Sequence, residues 1–145
     1  MRSIFNRSAL LILSMALFAA SMFFEVCRGW TGWGVLLMGW VEIAEWDQVG
    51  PFVACAWFAN PLLFTTWLLR YSKRQVAARI CAVGALLISA SYLLFGVSVV
   101  TDEAGQNSHA VTLNLAAAFW LASILVATSM AFLPIEEVDP ADRWF

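Results

Sequence analysis

Four apolar stretches, each close to the length a helix needs to cross lipid, constrain this chain more than any other feature. They run at about residues 9–26, 51–69, 80–100 and 110–133. At 1.5 Å per residue a helix covers about 30 Å of hydrocarbon in roughly 20 residues, and its own backbone satisfies every buried N–H and C=O. Continuous apolar runs, rather than ten-residue alternating strands, favour helices over a membrane barrel. The expected fold class is therefore all-α: a four-helix transmembrane bundle in a single domain. Composition agrees, since 62% of the residues are hydrophobic and only 12% charged, about half the charged share of a water-soluble domain.

Charge sets the expected orientation. Arg2 and Arg7 precede the first stretch, Arg70, Lys73, Arg74 and Arg79 flank the link between the second and third, and Arg143 lies in the tail; only Arg28 falls on the other side. Basic residues are retained on the cytoplasmic side, which places both termini there. Arg2 and Arg7 leading into an apolar core that ends Ala19-Ala20-Ser21 also have the layout of a cleavable leader, but the expectation is a retained span. The tail, residues 134–145, carries Glu136, Glu137, Asp139 and Asp142 and reads as solvated.

Between the first two spans, residues 30–47 place Trp30, Trp33, Trp40 and Trp46 around the short apolar run 34–39. That run is too short to cross, so a short interfacial or re-entrant helix is expected, with indole rings at the water boundary. Trp33, Leu37, Trp40 and Ala44 share one helical face; Gly39 and Glu42 fall on another. Glu42 and Glu45, with Asp47 following, present an acidic edge suited to a cation or a basic partner, or simply a solvated rim. Glu25 and Arg28, three apart, read as a local ion pair where the first helix leaves lipid.

Asn60-Pro61 stands near the middle of the second span. Pro61 has no N–H to give the carbonyl of Trp57, so a kink is expected there, and Asn60 brings an amide to a depth where lipid offers no partner. Counted from the span ends, Ser89, Ser91 and Tyr92 in the third stretch and Ser123 in the fourth lie at matching depth and are the expected partners of Asn60. The same groups could hold a ligand, a water or an ion. Small residues recur four apart at Ala16 and Ala20, Ala85 and Ser89, and Ser123, Ala127 and Ala131, the spacing of close helix seams, either within the chain or against a neighbouring subunit.

Several chemistries lack their residues. His109 is the sole histidine, whereas a haem between helices commonly takes two; Cys27, Cys55 and Cys81 are scattered rather than paired, although Cys27 and Cys55 both fall near the outer face and could bridge under oxidising conditions. No span carries an ionised residue at mid-depth, and no nucleotide loop or zinc-binding helix motif is present. No enzyme, no cofactor, no metal and no nucleic-acid partner are expected.

Gly34-Val35-Leu36-Leu37-Met38-Gly39-Trp40 and Trp57-Phe58-Ala59-Asn60-Pro61, followed by an apolar run and a basic turn, resemble a pattern of uncharacterised small multi-pass proteins of bacterial membranes. The similarity covers roughly residues 30–74. It implies a bacterial inner-membrane location and brings no reaction or ligand. The expected function is binding: an accessory, regulatory or protective partner of another membrane protein, with homo-oligomers as a further form. Candidate binding residues are Asn60, Pro61, Ser89, Tyr92, Ser123, Trp40, Glu42 and Glu45. An oligomeric channel or carrier for a small neutral or cationic solute, and a lipid or quinone binder using the crevice at the kink, are the alternatives.

Overall fold

The computed structural model describes residues 2–27, 30–44, 56–95, 97–100, 108–111 and 113–134. Those residues are mostly helical, as expected for an all-α chain. The long elements are α1 (Arg2–Phe23), α2 (Gly32–Ala44), α3 (Ala59–Tyr71), α4 (Gln75–Phe95) and α5 (Leu115–Phe132). α5 is the one described helix both long and apolar enough to cross a membrane, and α1 and α4 contain shorter apolar stretches, Ser8–Phe23 and Gln75–Ser91.

Two small antiparallel hairpins interrupt the helical plan. β1 (Glu25–Cys27) pairs with β2 (Trp30–Thr31), turning the chain from α1 into α2. β3 (Val97–Val100) pairs with β4 (Ser108–Val111), with Val97 opposite Val111 and Val99 opposite His109. Helix had been expected as far as Val100 and again from Ala110. β-Branched Val97, Val99 and Val100 favour a pleated strand instead, where their χ1 restriction costs nothing. Glu25 likewise lies in a strand rather than on a last helical turn, so the helical spacing assumed for its pair with Arg28 does not hold; Arg28 itself lies outside the described residues.

The helix ends explain themselves locally. Asn114, in extended conformation (φ −119°, ψ −176°), caps α5, its Oδ1 accepting from the N–H of Ala117 at 3.0 Å, the usual N-cap arrangement. α3 ends where Lys73 takes a left-handed turn (φ 60°). The Arg74 N–H then reaches the Leu69 carbonyl at 2.9 Å and the Lys73 N–H reaches Arg70 at 3.2 Å. That pair of reversed bonds is a Schellman stop.

α1 packs along α5, α5 along α4, and α4 along α3, with a narrower α3–α5 contact. An aromatic layer closes the ring of four: Phe18 of α1 meets Phe64 and Trp67 of α3 edge-on, at centroid distances of 5.1 and 5.8 Å. Phe18, Met22, Ala59, Leu63, Ala85, Ile124 and Ala127 form the buried centre. α2 lies against this bundle through glycines. A Cβ on Gly32 would sit 2.5 Å from the Ser21 carbonyl oxygen and 2.7 Å from Met22 Cα, and one on Gly39 would collide with the Trp57 ring. Trp57 Nε1 in turn donates to the Leu36 carbonyl at 3.0 Å.

Candidate functional site

The Asn60-Pro61 pair occupies the first turn of α3 rather than the middle of a continuous helix. Ala56 and Trp57 are helical, Phe58 (φ −65°, ψ −16°) forms the junction, and α3 begins at Ala59. The break stands where Pro61 dictates, since its ring excludes the carbonyl four residues back, that of Trp57, from the helical ladder. Within a first turn a missing N–H costs little.

Asn60 is buried, and its Oδ1 accepts from the Trp120 indole N–H at 2.8 Å. The expected partners are elsewhere. Ser89 and Ser91 donate to the carbonyls of Leu86 and Ile88 on their own helix, at 2.9 and 2.6 Å. Such back-bonding satisfies a hydroxyl without any neighbour. Ser123 faces α1, where Ser14 is its partner: Ser14 Oγ donates to the Ser123 carbonyl at 2.9 Å, Ser123 Oγ donates to the Ser14 carbonyl at 2.8 Å, and the two hydroxyl oxygens are 3.2 Å apart. Trp67 Nε1 of α3 then donates to Ser14 Oγ at 3.0 Å. The centre of the bundle thus holds two polar layers, about 4.5 Å apart along α5 as counted by three residues of helix rise. One is Ser14–Ser123–Trp67, joining three helices; the other is Asn60–Trp120, joining two.

Further bonds fix the two ends. Asn114 Nδ2 donates to the carbonyls of Glu25 and Val26 at 3.0 and 2.7 Å, tying β1 to the start of α5. At the other end Arg79 Nε donates to the Ala131 carbonyl at 3.3 Å and its guanidinium lies 5.4 Å from the Phe132 ring centroid, while Gln75 Nε2 donates to the Leu133 carbonyl at 3.2 Å. A cation and an amide thereby meet the negative pole of α5.

The seams follow the small residues on α4 and α5. Ala78, Ala82, Ala85 and Ser89 line one buried stripe, and Ala116, Ser123, Ala127, Met130 and Ala131 another. On α1 the Ala16–Ala20 stripe does not pack within the chain: Ala16 is exposed and Ala20 half-exposed, while Ser14, Phe18, Ser21 and Met22 face the core. Large apolar side chains lie outward instead, among them Ile12, Leu13, Met15, Ile80, Leu87 and Leu125.

Of the remaining candidates, the side chains of Tyr92, Trp40 and Glu42 and the whole of Glu45 lie outside the described residues, as do Cys55 and the side chain of Cys27, where a disulfide was conceivable. On the α2 face that Trp33, Leu37, Trp40 and Ala44 were expected to share, Trp33 and Leu37 are exposed. Sequence reasoning missed Ser14, Trp67, Trp120 and Asn114. The available signal was the spacing Ser14, Phe18, Ser21, which puts two hydroxyls on the face of α1 that also carries its aromatic anchor. Comparison with known protein families, with curated proteins and with solved structures gives no match.

Proposed function

We propose that this chain is a four-span protein of a bacterial inner membrane, with both termini in the cytoplasm, that acts by binding another membrane protein as an accessory or regulatory partner. The observation that carries the membrane setting is the size bias of the bundle: most of its buried residues are Ala, Ser or Thr, with Phe18, Met22, Leu63, Ile124 and Met130 the large ones among them, while many more Leu, Ile, Val and Phe side chains lie outside. Water-soluble bundles bury their large apolar groups, whereas lipid tails are as apolar as leucine and helices in them associate through close packing of small residues and hydrogen bonds. α5, at 18 residues, measures about 27 Å, near the hydrocarbon thickness of about 30 Å, and the apolar stretches of α1 and α4, Ser8–Phe23 and Gln75–Ser91, come to about 24 and 26 Å; α3, at 13 residues, covers about 20 Å of the second span.

Binding through the outer surface is favoured by what the centre does with its polar groups. Asn60 and Ser123, the residues best placed to line a route for solutes, spend their hydrogen bonds on Trp120 and Ser14. A central clasp of this kind supports a closed bundle rather than a channel. The exposed Trp33 and Leu37 of α2 offer an apolar contact beside the α1–α2 hairpin.

Purification of the tagged full chain from native membranes, after photo-crosslinking from position 33 or 37, tests the proposal. A discrete heterologous membrane protein cross-linked at these positions is the expected result. Homo-oligomers alone, with nothing else attached, overturn the binding reading, and recovery without detergent overturns the membrane setting.

A further inference from the structure

The turn between α3 and α4 and the outer face of α4 together have the form of a phospholipid seat. Resting on the membrane setting proposed above, we infer that this face binds an anionic phospholipid of the cytoplasmic leaflet, with its phosphate at Lys73 and Arg74 and an acyl chain along α4.

Four cations stand within ten positions here, Arg70, Lys73, Arg74 and Arg79. Arg79 is engaged at the end of α5, and Arg70 is half-buried. Lys73 and Arg74 are both exposed, and their side chains make no bond among the described residues. The left-handed Lys73 ends α3, and these two consecutive exposed residues fall in the turn before α4 begins at Gln75. The first turn of α4 contains no acidic residue, so the positive pole of that 21-residue helix adds to the same field.

Directly beyond the turn, Val76, Ile80, Val83 and Leu87 are exposed, at 70, 68, 38 and 66%. Their spacing of four, three and four puts them on a single face of α4, opposite the buried stripe Ala78, Ala82, Ala85 and Ser89. Eleven residues of helix rise about 16 Å, close to half of a hydrocarbon core of about 30 Å. A single leaflet's acyl chain therefore fits the stripe from end to end when its headgroup sits at the turn. An acidic peptide, including the chain's own tail with Glu136, Glu137, Asp139 and Asp142, matches the cations but not the apolar stripe beside them.

Native mass spectrometry of the full chain in detergent, titrated separately with phosphatidylglycerol, phosphatidylcholine of the same acyl chains, and inorganic phosphate, tests the inference. Each basic side chain near an anionic surface contributes about fivefold in affinity, so phosphatidylglycerol is expected to be retained roughly thirtyfold over phosphatidylcholine. Lys73→Gln with Arg74→Gln is expected to erase that preference, leaving Arg2, Arg7, Arg70 and Arg79 to hold the orientation; Lys73→Arg with Arg74→Lys is expected to keep it. Equal retention of the two lipids, a preference that survives the double glutamine change, displacement of the lipid by inorganic phosphate, or a preference that emerges only after residues 135–145 are deleted each overturns the assignment. A chain that needs detergent yet shows no headgroup preference refutes this inference alone and leaves the proposed function standing.

Discussion

Removing one hydroxyl of the Ser14–Ser123 pair should cost more than removing the other, although both serines are fully buried and form reciprocal bonds. Ser123→Ala deletes the donor to the Ser14 carbonyl at 2.8 Å and the 3.2 Å contact between hydroxyls. The Ser123 carbonyl still receives Ser14 Oγ at 2.9 Å, and Trp67 keeps its acceptor. Ser14→Ala deletes the bond to the Ser123 carbonyl and also leaves the Trp67 indole N–H without its acceptor. Side-chain hydrogen bonds between helices in lipid are worth about 0.6 kcal/mol on average and at most about 1.7; a buried donor left unmade adds about 1–3 kcal/mol. Ser123→Ala is therefore expected to cost about 0.6–1 kcal/mol and Ser14→Ala about 2 kcal/mol. Because the 3.2 Å contact is lost in either single variant, the double variant should fall short of the sum by about 0.5 kcal/mol or more. Reversible unfolding in mixed micelles, followed by far-ultraviolet circular dichroism across the four proteins of this cycle, measures all three quantities. A Ser123→Ala cost equal to or above that of Ser14→Ala, or strict additivity, refutes the three-helix node.

Asn60→Leu strands the Trp120 indole N–H and is expected to lower stability by about 1–2 kcal/mol; pairing it with Trp120→Phe should recover part of that loss in the same unfolding assay. Gly32→Ala drives a methyl into the Ser21 and Met22 backbone, and Gly39→Ala drives one into the Trp57 indole that its bond to Leu36 holds in place; each is expected to cost about 3 kcal/mol, amide exchange over α2 reads the loss, and unchanged protection in either variant contradicts the packing described. Lys73→Gly relieves a left-handed non-glycine residue and should raise stability by about 1 kcal/mol, seen as a higher unfolding midpoint; a lower one shows that the turn is not strained. Leu87→Lys, on the exposed face midway along α4, is expected to cost about 2.5–3.5 kcal/mol of membrane insertion, and unchanged recovery in the membrane fraction would mean that this face meets water.

Helical content and the α2 segment were legible because apolar spacing alone determines them. The small-residue seams of α4 and α5 were legible for the same reason, since Ala85 and Ser89, or Ser123 and Ala127, share a face whatever the neighbour is. Partner identity was not. Depth matching set Asn60 against Ser89 and Ser123, but a serine on a helix can return its proton to its own carbonyls, as Ser89 does at Leu86, and so places no demand on a neighbour. An indole N–H has no such local acceptor on its own helix. Trp67 and Trp120 must therefore look across the bundle, and they take the acceptors at Ser14 and Asn60. The Ala16–Ala20 stripe misled because small size permits a seam without requiring one, while Phe18, with two aromatic partners on α3, determines which face of α1 turns inward.

The same competition between indoles and serines bears on where this protein can interact. An apolar solvent withdraws most of the hydrophobic drive for helix association, so a bundle in lipid depends on bonds that only one arrangement completes. Here the two tryptophan donors complete them at the centre, Asn114 at the hairpin end and Arg79 with Gln75 at the basic end. Each of the three levels joins segments far apart in sequence, helices at the centre and at the basic end and β1 with α5 at the hairpin end. Ile12, Leu13, Leu87 and Leu125 lie largely on the outer surface. Under the membrane and binding reading proposed above, their replacement by other apolar residues should leave folding intact while changing which helix or lipid they meet; a loss of helical signal on such a replacement would show that these side chains hold the fold.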